Sequence, residues 1–419
     1  MTTEPTAEAV QEPTTEETPE PTAPKSPPVK VEPDLDFIEQ VSKAGGDTLK
    51  KCFQCASCSV VCALAPTDRP FPRKEMIWAS WGLKDKLISD VDVWLCHQCG
   101  DCSEICPRGA KPGDTLAAIR NYMFKTLTFP KFLGTWLSSP KYLPLVLAVP
   151  IILLVLACDM SLIPEAFARG RIDGSTISFE EHFLPHRNIY YVFITATHLA
   201  ALFLAISLVK FWKLLGTAAP ATNPRGPTQG NIVASGIATV KEIITHAKFK
   251  QCEKNRYRYL AHLGIMWGFI LLAIGTAIEI GMIYGSLILY GEKYPLPLGQ
   301  LTLPKLFGHT GVILLLIGLV IVIKERLNAD PAKRKNTFQD WYLLLVLLGV
   351  ATTGLLLEIV RVAGYEGLSY VLYFTHLVLI FLLIGYFPYS KFAHIFYRFV
   401  AILHSKYTGR DATVEQAAA

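Results

Sequence analysis

The sequence predicts an all-α protein in two parts, a small helical soluble domain built around two cysteine runs and a six-helix transmembrane bundle behind it. Three observations predict this. Cys52 to Cys62 and Cys96 to Cys106 both read CxxCxxCxxxC, and apolar residues recur at helical spacing between and after these runs. Six later stretches are each long and apolar enough to cross a bilayer, which takes about 20 residues. With 51% hydrophobic residues among 419 and a positive mean hydropathy, the chain is too apolar for an ordinary soluble protein of its size.

Taken in order, residues 1–34 are acidic and rich in Pro, Thr and Glu, which reads as a disordered tail and not as a cleavable signal peptide. Residues 35–118 form the cysteine domain. A 4Fe–4S cluster needs four converging thiolates, and two-residue gaps let one tight turn supply three of them. In two-cluster ferredoxins the last cysteine of each run ligates the other cluster. This assigns Cys52, Cys55, Cys58 and Cys106 to one centre and Cys96, Cys99, Cys102 and Cys62 to the second. Pro107 fits the bacterial pattern, whereas Ala63 stands where a second proline would be expected.

Structural zinc is the bland alternative, but it takes four ligands as two CxxC pairs and leaves a third closely spaced cysteine without a role. Disulfides fit a reducing cytoplasm poorly. Cys158 and Cys252 read as packing or surface residues. Helical periodicity between the runs makes this a mostly helical two-cluster ferredoxin-like domain. Residues 119–140 mix Phe124, Phe129, Phe132 and Trp136 with Lys125 and Lys131, as an interfacial linker or a docking surface would.

The membrane domain covers 141–405, with spans expected at Tyr142–Ile163, Ile189–Trp212, Tyr259–Ile283, Leu303–Ile323, Trp341–Arg361 and Tyr370–Tyr389; 406–419 form a tail. Lys and Arg crowd the loop between Lys213 and Arg258 and the loop after the fourth span, whereas the loops after the third and fifth spans carry one basic residue each. The positive-inside rule then puts both termini and the cysteine domain in the cytoplasm. The segment Ile232–Phe249 reads as an amphipathic helix on the inner surface.

Histidines inside membrane helices are costly and usually functional. Two imidazoles from facing helices close a b-type heme site, and no CxxCH is present for covalent attachment. On one continuous helix His376 and His394, eighteen residues apart (394 − 376), would share a face roughly 27 Å apart, unless Pro388 kinks it. Depth pairs His262 with His394 near the inner surface and His309 with His376 near the outer. His198 competes for the outer site or lines a quinone pocket. His182, His186, His246 and His404 read as ordinary polar residues, and His97 as shaping a cluster environment. Glu279, Glu358 and Lys305 are candidates for handling protons or a quinone oxygen.

These motifs resemble known families. CFQCASCSVVC and CHQCGDCSEICP are similar to the small iron–sulfur subunit of heterodisulfide reductase. CEKNRYRYLAHLGIMWGF and FTHLVLIFLLIGYFPYSKFAHIFYR resemble the heme b subunits of respiratory nitrate reductase and the related membrane subunit of heterodisulfide reductase. Their fusion resembles the membrane subunits of quinone-interacting membrane-bound oxidoreductase complexes of sulfate-reducing bacteria. The resemblance implies two b hemes, a menaquinone site, and two soluble flavin and iron–sulfur partner subunits similar to the flavin-bearing subunit of heterodisulfide reductase, whose electrons would serve adenylyl-sulfate reductase. It supports His262, His376 and His394 as ligands. The family's second histidine on the third helix falls at Leu272 here, so the outer heme needs His309 or His198.

The implied protein is the quinone-reacting electron-transfer subunit of a multi-subunit oxidoreductase. A membrane subunit for heterodisulfide reduction is the near alternative. An ion transporter would show internal repeats or broken helices at mid-membrane, and the sequence has neither. A zinc-bearing anchor would carry no iron.

Overall fold

The computed structural model describes residues 32–66, 70–179, 183–217, 230–250, 256–292, 294, 298–328 and 336–410. The expectations for residues 1–31, Cys252, His182, the 329–335 loop and 411–419 lie outside the described residues.

Among the described residues the chain is all-α, with a single bridge between Arg171 and Tyr365. The soluble part contains α1 (Leu35–Val41), α2 (Ser57–Val60), α3 (Arg73–Ser80), α4 (Lys84–Ile88), α5 (Asp92–Leu95), α6 (Asp101–Glu104) and α7 (Pro112–Leu127). Local chemistry sets their ends. The Asp34 carboxylate caps α1 by accepting from the Phe37 N–H at 2.8 Å, and Pro112 opens α7, where a missing N–H costs nothing.

Then follow α8 (Lys131–Trp136), α9 (Leu143–Ala157), α10 (Leu162–Arg169), α11 (His186–Ile189), α12 (Thr195–Leu215), α13 (Ile232–Thr245), α14 (Ala247–Lys250), α15 (Arg256–Tyr290), α16 (Leu303–Leu327), α17 (Phe338–Val362), α18 (Glu366–Ile384) and α19 (His394–Tyr407). Six helical segments are long and apolar enough to cross a membrane: Pro140–Ala157, Arg187–Leu215, Tyr257–Tyr290, Leu303–Leu327, Phe338–Val362 and Glu366–Ile384. The chain therefore has the build of a multi-pass membrane protein.

Helices α15 and α16 lie backbone to backbone through glycines. A Cβ on Gly268 would stand 2.7 Å from the Gly311 carbonyl oxygen, and one on Gly318 would stand 2.6 Å from that of Ala261. Small residues permit such approach in lipid, where apolar attraction between helices is weak.

One expectation fails. The sixth span does not continue to His394: α18 stops at Ile384, two tight 3-10 turns follow at Phe387–Tyr389 and Lys391–Ala393, and α19 starts afresh at His394. Pro388 supplies no N–H, and the turn is pinned by Tyr389, whose hydroxyl donates to the Phe129 carbonyl at 2.8 Å, and by Lys391 on Asp340 at 2.7 Å. His376 and His394 thus belong to different helices.

The two parts share a core. Phe37, Met76, Leu87, Trp94, Leu116 and Ile119 pack with Phe211 of α12 and with Tyr397 and Ala401 of α19. Trp94 stacks on Tyr397 with ring centroids 5.0 Å apart and meets Phe124 edge-on at 5.4 Å. At the far end of the bundle α10 sits on α18, where Arg169 grips the Glu366 carboxylate with two bonds of 2.8 and 2.7 Å.

Candidate redox centres

The cysteine runs fold as two copies of one loop. Gln54 and Ala56 in the first have φ of 61° and 69°; Gln98 and Gly100 in the second have 51° and 100°. These left-handed turns let the backbone curl around its sulfurs. The N–H of Gln54 approaches Cys52 Sγ at 3.4 Å, and that of Gln98 approaches Cys96 Sγ at 3.3 Å. Each loop runs into a short helix, α2 or α6, and the two helices pack on one another.

Cys62, from the end of the first run, lines one small cavity with Cys96, Cys99 and Cys102 of the second, closed by Phe71 and Pro72. Burial, with Cys52 nearby, pushes the Cys58 thiol up to about 11, and burial does the same for Cys62. Metal binding at these positions must displace protons. Among the described residues no three cysteine sulfurs lie within 4.8 Å of one another. The carboxylate group that does meet this limit, Glu75, Asp90 and Asp92, already encloses Lys74 at 2.6 to 2.9 Å, and Arg410 reaches Asp92 at 2.8 Å. Cys158 is buried at the end of α9, away from both runs.

The second loop is seated on the membrane helices. Arg258, near the start of α15, donates to the Gln98 carbonyl at 2.7 Å, and Arg398 of α19 donates to His97 Nε2 at 2.9 Å. Burial, with Arg398, Arg258 and Lys248 around it, holds His97 well below the ordinary imidazole value, so the ring is neutral at pH 7. Its ring lies 5.1 Å from that of Phe249, which lies 6.0 Å from His262.

Directly beneath, the rings of His262 and His394 are 6.4 Å apart with planes at 79°. An imidazole–metal–imidazole bridge with bonds of about 2 Å spans roughly 6 Å between ring centres. His262 Nδ1 pairs with His246 Nε2 at 2.8 Å, and His394 Nδ1 lies 2.6 Å from the Lys391 carbonyl oxygen. Neither Nε2 atom has a hydrogen-bond partner among the described residues, and each Nδ1 is held by a neighbour, the arrangement that orients an imidazole. Burial lowers His394 to about 4, which keeps that ring neutral.

Deeper in the bundle, His376 Nδ1 lies 2.9 Å from Thr353 Oγ1, and its ring fills the space left by Gly354, where a Cβ would stand 3.0 Å from it. Lys305 of α16 reaches Glu358 of α17 at 3.1 Å. One turn further along each helix, His309 comes level with residue 354 and so with His376. The glycine contacts of Gly275 with Gly308 and of Gly311 with Leu272 set His309 level with residue 274 on α15. That is twelve residues (274 − 262) and roughly 18 Å from the level of His262. No ring contact joins His309 to His376 among the described residues. His198 is exposed on the bundle's surface and bonds the Ile194 carbonyl of its own helix at 2.7 Å. Glu358 is engaged by Gln300, Lys305 and Arg361, and Glu279 is half-buried.

Sequence reasoning missed His246 as a partner of His262. The contact forms because His246 ends α13 in a left-handed turn, φ 49°, that folds α14 back over the start of α15. No spacing rule announces this. The two loops meeting as near-copies, by contrast, is visible in the repeated motif.

Among known families, the one described as 4Fe-4S dicluster domain matches residues 48–110, and the one described as Citrate utilization protein B matches residues 138–416. The matching subunit of the H(2):CoB-CoM heterodisulfide,ferredoxin reductase of Methanothermobacter marburgensis is 42% identical over 91 residues, 21% of this chain and 48% of that protein. A protein of Archaeoglobus profundus described as like a heterodisulfide reductase subunit is 36% identical over 86 residues, 20% and 46% respectively. The chain thus spans about half the length of these two relatives. Citrate utilization protein B of Escherichia coli is 25% identical over 346 residues, 76% of this chain and 83% of that protein. No solved structure matches.

Proposed function

This chain belongs to the citrate utilization protein B family, and from that premise we propose that it carries electrons between a membrane quinone and soluble partner subunits, through two 4Fe–4S clusters and two b-type hemes. Its amino-terminal part is an electron-transfer iron–sulfur domain related to the iron–sulfur subunit of heterodisulfide reductase. One observation carries the rest of the reading. The second cysteine loop rests through His97 on Arg398, immediately above two imidazoles at the separation of a metal-bridged pair.

Cys52, Cys55, Cys58 and Cys106 would hold one cluster, and Cys96, Cys99, Cys102 and Cys62 the other; the shared cavity of Cys62 with the second run supports this crossing. His262 and His394 would hold the inner heme, and their spacing and engaged Nδ1 atoms fit it. His309 and His376 would hold the outer one, supported by their common level. Bound there, these groups give and take single electrons. The chain's own residues fix their surroundings: Arg258 and Arg398 hold the loop to the bundle, His246 and the Lys391 carbonyl orient the inner imidazoles, and Thr353 orients His376. Menaquinone is the proposed quinone. The basic loops favour a cysteine domain on the cytoplasmic side of the inner membrane, facing flavin and iron–sulfur subunits similar to the flavin-bearing subunit of heterodisulfide reductase and, through them, adenylyl-sulfate reductase.

Service to a heterodisulfide reductase is a second reading, favoured by the 42% identity to the Methanothermobacter marburgensis protein. The test is anaerobic purification with iron and sulfide analysis, paramagnetic resonance and reduced-minus-oxidised spectra. Two cubane clusters and a b-type spectrum, with one heme lost in His262→Ala and His394→Ala, are expected. Iron-free protein, or full heme in both variants, would overturn the reading.

A further inference from the structure

The near-twofold relation of the two loops makes each position in one a counterpart of a position in the other, 44 residues on (96 − 52). His97 is the counterpart of Phe53, and the two have opposite fates. His97 is covered by the membrane helices through Arg398 and Phe249. Phe53 is 67% exposed, with the Arg108 guanidinium over its ring at 4.1 Å. The exposed large apolar residues around the first loop extend to Val60 at 87% and Ile105 at 52%, and Cys55 of the same loop is itself exposed. Scattered exposed apolar residues are ordinary, but several beside a ligand-bearing loop mark an interaction site.

We propose that the face of the first cysteine loop around Phe53, Val60 and Ile105 is the docking surface for an acidic redox protein, in the way the second loop's face is already docked on the membrane helices. The inference rests on the electron-carrying function proposed above and names where the soluble partner binds. The sign of charge comes from the surroundings: among the described residues Lys50, Lys51, Arg73 and Arg108 are exposed beside the loop, against Asp47 and Glu104. Arg73 also bonds the Gln54 carbonyl at 2.9 Å, which keeps its charge on this face. An apolar centre within a basic rim fits a partner with an acidic rim. Electron exchange there is one electron leaving the partner's reduced centre and entering the cluster at the first loop, with no bond made and no proton moved.

The full-length protein in detergent, loaded with its iron, can be mixed in a stopped-flow instrument with a reduced plant-type 2Fe–2S ferredoxin as the acidic probe. The expected result is a fall of about tenfold in the second-order rate in Val60→Glu and in Arg108→Glu, with a steep loss of rate in salt for the parent protein. Reduction by dithionite stays unchanged in both variants, which shows that clusters and fold are intact. An unchanged ferredoxin rate overturns the docking face. So does a slower rate that tracks loss of dimer in Val60→Glu, which would assign the face to a second copy, or loss of binding to anionic lipid vesicles, which would assign it to the membrane. Failure of dithionite to reduce any centre in the parent protein would instead sink the electron-carrying function itself.

Discussion

The hydrogen bond between His246 and His262 fixes which nitrogen of His262 would face the proposed inner heme. With Nδ1 engaged at 2.8 Å, only Nε2 is available, and the ring cannot rotate without breaking the bond. Substituting His246→Phe keeps an aromatic body beside Phe249 and Tyr259 but removes the hydrogen-bond partner. Loss of such an outer partner typically costs about 10- to 100-fold in metal-site affinity or activity, so the proposed inner heme should be retained poorly and titrate at a changed midpoint potential while the proposed outer heme is unaffected. Potentiometry followed by visible spectra measures this; an unchanged inner heme would mean that His246 only packs. The 4Fe–4S dicluster character of the cysteine domain was readable because cluster binding demands local cysteine spacing. His246 was not, because its role depends on how α14 folds back, a tertiary matter that leaves no periodic trace.

Among the elements, the pair α15 and α16 sets the vertical scale of the membrane domain. Its register depends on Gly268 against Gly311 and Gly318 against Ala261, with no room for a side chain at either contact. Gly268→Leu forces the helices apart, and overpacking of this sort costs about 1–3 kcal/mol or more where the obstacle is backbone. The measurable outcome is lower thermal stability together with a loss of the proposed outer heme, since separating the pair moves His309. All six spans were legible from apolar length alone, because a bilayer imposes that length on any helix crossing it. The end of α18 was not. Apolar residues continue through Phe387 and Tyr389 into α19; Pro388 marks a candidate kink, but the tertiary partners, Phe129 for Tyr389 and Asp340 for Lys391, decide that the helix ends and the chain turns there. A second consequence concerns the turn after α19, where Arg410 pairs with buried Asp92, four residues before Cys96. Breaking a buried pair so that one charge is left alone costs about 3–5 kcal/mol, and Arg410→Ala costs less than that because Lys74 stays 2.8 Å from Asp92. Arg410→Ala should therefore lower the melting temperature and release iron from the cysteine domain sooner on heating.

At the scale of the whole molecule, the cysteine domain is joined to the bundle by a common core and by two arginines, so the proposed route from cluster to heme crosses packed protein. Trp94 and Tyr397 stack at the seam, and Arg258 and Arg398 hold the carbonyl and imidazole of the second loop. The stacked core keeps the two parts attached even without the arginines, which separates fold from coupling. Replacing both, Arg258→Gln with Arg398→Gln, leaves the apolar seam intact and removes the charge-assisted bonds that hold His97 over Phe249 and His262. With a menadiol-type quinol as donor, the hemes of this double variant should be reduced at the parent rate while the clusters lag behind them. In the parent protein both should change together. Stopped-flow absorbance at a heme band and at the broad cluster absorption separates the two. If clusters and hemes still move together in the variant, electrons do not cross at His97, and the loop's contact with α15 and α19 serves only to hold the molecule together.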